Sequence, residues 1–293
     1  MPEPAAVLIA GAGTMGRQIA ATLALGGATD VRVVDPDPAQ RASAREWMDA
    51  FLADEGRAEC STRIALLAQH LAPDEAVELA IEAVPERLEL KRAVIPELLR
   101  AAPRATVASN SSSMPVARLV VDADGEDEPS LDRLVNLHFY VRPWERRVVE
   151  LMTSGESDEA RIEAVERFMQ RLGFRVFVLG RPSFGLLYNR IWAAVKREAL
   201  AIVDEGVATP AEVDAICRAL DPQPARGPFE RMDAVGLDTV RLIERAYASE
   251  RGTAVSATLE WLVEQGRLGR KSGGGFFEYE GEHQDLSKEG TEK

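Results

Sequence analysis

The chain is poor in cysteine, in histidine and in positive charge. Its two cysteines, Cys60 and Cys217, lie far apart and outside any CxxC or histidine spacing. That excludes a disulfide framework, argues against a cysteine-based metal centre so that no metal is expected, and fits a reducing compartment. A formal net charge of −13 disfavours nucleic acid or an anionic membrane as a partner, since both require a basic surface. No apolar run approaches the length of a transmembrane helix. The opening Met-Pro-Glu-Pro has neither the basic flank nor the apolar stretch of a signal peptide, so a cytoplasmic protein is expected. There is no internal repeat. The acidic stretch 122–128 reads as an exposed loop, and 281–293 as a polar, disordered tail.

What is present is a chain of 293 residues, 46% hydrophobic, long enough for two domains with real cores. Residues 7–16, Val-Leu-Ile-Ala-Gly-Ala-Gly-Thr-Met-Gly, run from a buried strand into GxGxxG. Gly11 allows the tight turn, Gly13 lets the backbone approach a pyrophosphate, and Gly16 lets the following helix pack closely. That helix, about 17–25, points its amides and positive dipole end at phosphate, with Thr14 and Met15 in the turn. Gly26-Gly27 stops it. A second strand, 31–34, ends in Asp35, nineteen residues after Gly16, where a carboxylate holds the ribose hydroxyls of NAD and repels a 2′-phosphate. Arg32 points to the other face of its strand from Val31 and Val33, so it reads as a solvated surface residue rather than an anchor for NADP.

The remaining periodicities predict a helix at 39–54 with Trp47, Phe51 and Leu52 packed, strands at 64–67 and 79–84, and an amphipathic helix at 86–100 containing Pro96. Strands follow at 106–108, 134–140, 148–152 and 175–179, with a helix at 158–171. Strands alternating with helices imply an α/β fold, a doubly wound, mostly parallel Rossmann-type sheet. Beyond Pro182 only helices are predicted: 184–203 with Ile191, Val195, Ala199 and Ile202 on its apolar face, one starting at the Thr209-Pro210 cap, and two more near 238–249 and 253–265. The expected division is a Rossmann-type domain at 1–181, an all-helical C-terminal domain at 182–280, and the tail.

Six blocks, GAGTMG at 11–16, EAVPERLELK at 82–91, ASNSSS at 108–113, LHFY with VVEL within 137–151, GPFERMDAVGLD at 227–238 and GRLGRKSGGGFFEY at 266–279, together with LLYNR at 186–190, resemble the L-3-hydroxyacyl-CoA dehydrogenase family over roughly residues 5–280. The resemblance implies an NAD-dependent oxidoreductase that interconverts a 3-hydroxyacyl thioester and its 3-oxo form. Oxidising a secondary alcohol requires a base for the hydroxyl proton and an acceptor for hydride. His138 is the candidate base. If 141–147 link adjacent antiparallel strands, Glu150 falls opposite His138 on one face, where a carboxylate orients the ring and stabilises its charged form. By resemblance Ser112 and Asn189 hydrogen-bond the substrate oxygen. Glu86, Lys91, Ser112 and Lys271 lie at the cofactor, and the helical domain forms a homodimer, for which faces around Trp192, Leu259 and Trp261 are candidates.

Two departures bear on the substrate. The family's HFFNP reads His-Phe-Tyr-Val-Arg here, so Val141 replaces an asparagine that normally faces the nicotinamide, and Arg142, Arg146 and Arg147 follow closely. Arginine suits carboxylate or phosphate recognition, which makes these three candidate substrate contacts, although a surface loop accounts for them equally well. The family's lysine-bearing arm after the second strand is missing: residues 40–75 hold no lysine, leaving Arg41, Arg45, Arg57 and Arg63 as possible substitutes. The same chemistry on an acyl-carrier-protein-bound group, or on a small free hydroxy acid, therefore stays open, as does a non-catalytic NAD-binding protein.

Overall fold

The structure is a computed structural model that describes residues 6–69, 73–120, 131–220 and 226–279. The acidic stretch 122–128, the tail, His70 and His283 lie outside the described residues. The chain forms two compact units that divide between Leu186 and Leu187.

In the first unit, β1 (Ala6–Ala10) is followed by α1 (Thr14–Gly26), β2 (Asp30–Val34), α2 (Pro38–Asp54), β3 (Ile64–Leu67), β4 (Val77–Glu82), α3 (Leu88–Ala101), β5 (Thr106–Ser109), β6 (Leu134–Phe139), α4 (Pro143–Arg146), β7 (Val148–Thr153), α5 (Glu159–Arg171) and β8 (Arg175–Leu179). One eight-stranded sheet results, in the order β3-β2-β1-β4-β5-β6-β7-β8. The first six strands run parallel, β6 and β7 pair antiparallel, and β8 follows β7 in parallel. Chain order reverses between β1 and β4, and at such a switch point the loops at the carboxyl ends of the strands separate into a crevice.

Alternation along β1 feeds both faces. Val7 and Ile9 join Ile19, Leu23, Met48, Leu52, Phe168 and Met169 beneath α1, α2 and α5, whereas Leu8 and Ala10 join Ile95, Leu98, Val107 and Leu119 under α3. A strand buried on both sides reads as a continuous apolar run, which is why β1 is legible as Ala-Val-Leu-Ile-Ala. The helix starts also obey local chemistry. Asp37 caps α2 by accepting from Ala39 N–H, and Asp158 caps α5 by accepting from Ala160 N–H, each at 2.8 Å. Gly27, at φ 110°, ends α1 in the left-handed region.

The packed face of α2 is the one expected. On α2 the deeply buried residues are Ala44, Met48 and Leu52. Trp47 and Phe51 sit beside them, stacked at 5.1 Å and both packed on Trp144. Arg32 is not simply solvated: it pairs with Asp30 and Asp74, each at 2.6 Å.

The second unit comprises α6 (Leu187–Asp204), α7 (Pro210–Leu220), α8 (Pro228–Val235), α9 (Leu237–Arg251) and α10 (Ala257–Glu264). The sequence reading missed α8, whose eight residues span barely two turns and so show little periodicity. The α6 face is a correction as well. Ile191 and Val195 are exposed, 64% and 43%, and the inward positions are Ala193, Lys196, Ala199 and Leu200. Lys196 is tolerated inside because Glu244 of α9 meets its ammonium at 2.6 Å.

Buried carboxylates organise the rest of this unit. Asp214 of α7 accepts from Phe229 and Glu230 N–H at the start of α8, both at 2.8 Å. Asp233 accepts from Phe276 and Phe277 N–H, each at 3.0 Å, and from the Tyr279 hydroxyl at 2.9 Å. A Cβ on Gly275 would lie 2.0 Å from Asp233 Oδ1, and one on Gly269 would lie 2.3 Å from the Asp233 carbonyl. Lys271 closes the same loop by donating to both carboxylate oxygens of Asp238. The blocks at 227–238 and 266–279 are thus two halves of one clasp. Asp233→Ala would strand two amides and a phenol, and a loss of roughly 2–4 kcal/mol of unfolding free energy is expected in urea titrations.

Candidate active site

At the switch point, Gly11 N–H donates to Val34 O at 2.8 Å, turning the chain sharply at φ 106°. A Cβ on Gly11 would meet Ala83 O at 2.7 Å, and one on Gly16 would meet Gly11 O at 1.9 Å, so internal packing explains both glycines. It does not explain Gly13. That residue has φ −66°, and the nearest atom to its would-be Cβ is Gln40 Nε2 at 3.9 Å. A glycine that the protein's own packing does not require, at the start of a helix, fits an external group lying against the backbone. The start of α1 also has no capping side chain on Gly13 and no acid in its first turn, which suits pyrophosphate. Asp35 sits beside the turn. Its Oδ2 accepts from Ala12 N–H and its Oδ1 from Asp37 N–H, both at 2.9 Å, which fixes the carboxylate at the end of β2. These residues fit NAD, with Thr14 exposed and Met15 half-buried in the turn.

The ends of β4 and β5 carry a second set of polar residues. Lys91, only 1% exposed, brings its ammonium to 2.7 Å from Glu82 Oε1 and 3.1 Å from Glu86 Oε2. Glu82, fully buried, also accepts from Val84 N–H at 2.8 Å and from the Ser109 hydroxyl at 2.6 Å. Glu86 accepts from the hydroxyls of Ser111 and Ser113. Burial pushes the Glu86 carboxyl up, but the Lys91 charge and the two serine hydroxyls outweigh it and hold the group below the usual carboxylate range. Lys91 therefore supports Glu86 from inside, and Glu86, with 46% of its side chain exposed, is the member of the pair open to a ligand. Ser112 lies within this serine turn. Sequence reasoning passed over Glu82 and Ser109, although both fall inside blocks it had singled out.

On the neighbouring strands, His138 and Glu150 are direct cross-strand partners between β6 and β7, as the spacing required. Both are buried, 8% and 2% exposed. The His138 imidazole has its pKa lowered to about 4 by burial, against an opposing pull from the Glu86 charge. At neutral pH it is an unprotonated ring. Its Nδ1 is buried with no hydrogen-bond partner among the described residues. Glu150 Oε1 instead accepts from the Tyr140 hydroxyl, and the Tyr140 ring meets His138 edge-on, centroids 4.7 Å apart and planes at 77°. Phe139 N–H, between them in sequence, is held by Asn110 Oδ1 at 2.8 Å.

The β6–β7 connection contains α4, flanked by Arg142 and Arg147, the two non-glycine residues with positive φ among the described residues. Gln18 of α1 accepts from Arg142 N–H at 3.0 Å, and the Arg142 guanidinium pairs with Glu145. Arg146 is exposed. Arg147 differs from expectation. Its guanidinium donates to Trp144 O at 3.2 Å and Leu172 O at 3.1 Å and lies over Phe174, so it staples the end of α5 and is withdrawn as a substrate contact. The four arginines after β2 are likewise engaged: Arg41 on Asp35 O, Arg45 on Ser61 and Ile64 O, Arg57 on Glu59, and Arg63 on Ala24 O. Asn189 and Lys271 belong to the second unit, Asn189 in the first turn of α6 and Lys271 in the clasp described above. No group of three or more histidine, cysteine or acidic residues able to hold a metal occurs among the described residues, and no helix there is long and apolar enough to cross a membrane.

A doubly wound sheet with a dinucleotide turn, beside a paired histidine and glutamate, defines an oxidoreductase of the NAD-binding class. Residues 6–181 match the family model described as 3-hydroxyacyl-CoA dehydrogenase, NAD binding domain, and residues 185–279 match the corresponding C-terminal domain. A 3-hydroxybutyryl-CoA dehydrogenase of Bradyrhizobium diazoefficiens is 31% identical over 288 residues, 93% of this chain and 94% of that one. A 3-hydroxyacyl-CoA dehydrogenase-like protein, LAM1, of Cochliobolus heterostrophus is 41% identical over 150 residues, half of this chain but 31% of its own. Among solved structures, the (S)-3-hydroxybutyryl-CoA dehydrogenase PaaH1 of Ralstonia eutropha superposes with a TM-score of 0.82 at 27% identity, covering 94% of this chain and 99% of that one. The chain belongs to the 3-hydroxyacyl-CoA dehydrogenase family and is an NAD-dependent oxidoreductase.

The geometry separates two glycines that the motif treats alike. Gly13→Ala should leave the melting temperature within about 2 °C, as for a change costing less than ~0.5 kcal/mol, while weakening NADH binding at least tenfold by fluorescence titration. Gly16→Ala should lower the melting temperature itself.

Proposed function

We propose that the chain interconverts a 3-hydroxyacyl thioester and its 3-oxoacyl form, with His138 as the acid–base group. The observation that carries this reading is the buried cross-strand pair of His138 and Glu150 at the carboxyl edge of a sheet whose β1 turn fits NAD. In the oxidation direction His138 accepts the hydroxyl proton, and its lowered pKa means the lone pair is available at neutral pH. Bound NAD supplies the acceptor for the hydride that leaves the same carbon. The imidazolium formed is an ion in a buried site, and Glu150 supplies the countercharge. Ser112, from the turn after β5, and Asn189, from α6, donate to the substrate oxygen as it gains negative charge. Asp35 holds the adenosine ribose, Glu86 lies toward the nicotinamide ribose with Lys91 behind it, and Lys271 adds a cation from the second unit.

The names of the relatives support coenzyme A as the carrier of the acyl group. Arg41, Arg45, Arg57 and Arg63 are engaged within the fold, which favours recognition through the acyl and pantetheine portion over the nucleotide of CoA. Arg142 and Arg146 are the remaining arginines beside the β6–β7 connection. A homodimer is supported by the exposed apolar residues Ile191 and Val195, one turn apart on α6.

Initial rates of NADH oxidation, measured side by side with acetoacetyl-CoA, acetoacetyl-pantetheine and an acetoacetyl carrier protein, test the substrate. Turnover with the CoA and pantetheine thioesters is expected. Activity with carrier protein alone, or with a small free 3-oxo acid alone, reassigns the substrate within the same chemistry. Tight NADH binding without turnover on any of them would show a non-catalytic NAD-binding protein and overturn the proposal. Asp35→Ala should raise the NADH Kd at least tenfold, and an unchanged Kd would remove Asp35 from the ribose.

A further inference from the structure

Two asparagines hold β6 on either side of His138. Residues 134, 136 and 138 share one face of that strand, the face on which Leu134 joins Val116 and Leu119. Asn136 on that face is fully buried. Its Oδ1 accepts from Val116 N–H at 2.7 Å and its Nδ2 donates to Met114 O at 2.9 Å, so one orientation of the amide satisfies both neighbours. Asn110, the first residue after β5, reaches the same strand from the other direction. Its Oδ1 accepts from Phe139 N–H at 2.8 Å, the amide next to His138. The segment 110–116 is thus fastened to β6 at both ends, and the serines 111–113 lie between the two fastenings.

A leucine at 136 would fill the core without polar atoms to satisfy, and strands disfavour asparagine. What a fully bonded buried amide adds is one fixed arrangement of its neighbours. We propose that Asn110 and Asn136 are positioning residues, whose amides clamp the serine turn onto β6 so that Ser112 and His138 bear on one substrate oxygen. The inference rests on the reading in which His138 takes the hydroxyl proton and Ser112 donates to the same oxygen. That division of labour needs the two groups at a fixed separation, since a misplacement of about 1 Å can cost roughly 100-fold in rate. They come from different strands, and the register between β5 and β6 ends at the pair of Ser109 with Asn136, before Ser112 is reached. Beyond that pair the two side-chain amides tie the turn to β6. The same turn holds Glu86 through Ser111 and Ser113, so the clamp also sets that carboxylate relative to the base.

Double-mutant cycles in single-turnover hydride transfer from NADH to acetoacetyl-CoA test the clamp. Asn110→Ala should slow transfer at saturating substrate roughly tenfold or more, with the NADH Kd within about threefold of the parent, because Gly13 and Asp35 lie at other strands. Ser112→Ala should slow it too. The double variant should be within about twofold of the slower single, since a serine no longer aimed has little left to lose. Asn136→Leu, which keeps a branched side chain, should couple to Ser112→Ala in the same way. A parental rate in Asn110→Ala, or losses that multiply in the double variant, would show amides that only hold the fold together and overturns the proposal. NMR of the full chain separates this from a failure of the reading beneath it. Asn110→Ala should move the amide resonances of 111–113 together with those of the His138 ring and speed exchange of Phe139 N–H by about tenfold, as for one lost hydrogen bond. If Ser112→Ala transfers hydride at the parental rate, the role of Ser112 fails; the clamp stands where those resonances move together and falls where they stay in place.

Discussion

The reversal of strand direction between β6 and β7 is the constraint on which the active site depends. An antiparallel pair places residues directly opposite one another, with side chains on the same face. Here that register sets His138 against Glu150 deep enough that both are removed from water. Had β7 continued parallel, the chain would have needed a crossover at this point and the two residues could not have met across so short a connection. The short connection in turn forces Arg142 and Arg147 into the left-handed region on either side of α4. Gln18, which holds the Arg142 amide, ties that strained loop to the helix whose start fits the cofactor.

A second constraint is that buried charge must be matched. Each ionisable group near the carboxyl edge has a defined partner: Lys91 lies between Glu82 and Glu86, Glu86 between Lys91 and two serines, Glu150 against Tyr140. His138 stands apart as a ring whose Nδ1 has no partner among the described residues and which burial keeps neutral. A buried, neutral imidazole has a lone pair to offer, which is why the proposed mechanism gives this residue the proton. The second unit follows the same rule for a structural end, using Asp214 and Asp233 as acceptors for backbone amides where α8 and the glycine-rich segment would otherwise leave them bare.

Much of this was legible in the sequence because it rests on local rules. β1, the glycine turn, the start and stop of α1 and the acid after β2 follow from side-chain size and backbone freedom at consecutive positions. The pairing of His138 with Glu150 followed from counting residues across a presumed turn. What escaped was long-range. That Lys196 lies inside while Ile191 lies outside depends on Glu244, 48 residues away, which periodicity cannot see. That Arg147 staples α5 depends on a carbonyl at Leu172. Tyr140 was passed over because an aromatic in His-Phe-Tyr looks like packing, whereas its hydroxyl donates to Glu150. Trp47 and Phe51 pack as expected, at the edge of the core and against Trp144 from another loop.

The central claim is that hydride chemistry in this chain depends on His138 as the proton acceptor and that cofactor binding does not. The most direct measurement is single-turnover hydride transfer alongside NADH affinity in His138→Asn, a change close in size. The account predicts a fall in the transfer rate of roughly 10²–10⁴-fold, the range for loss of a general base, with an NADH Kd within about twofold of the parent. Transfer at near-parental rate, or a loss of rate matched by a loss of NADH binding, would contradict it.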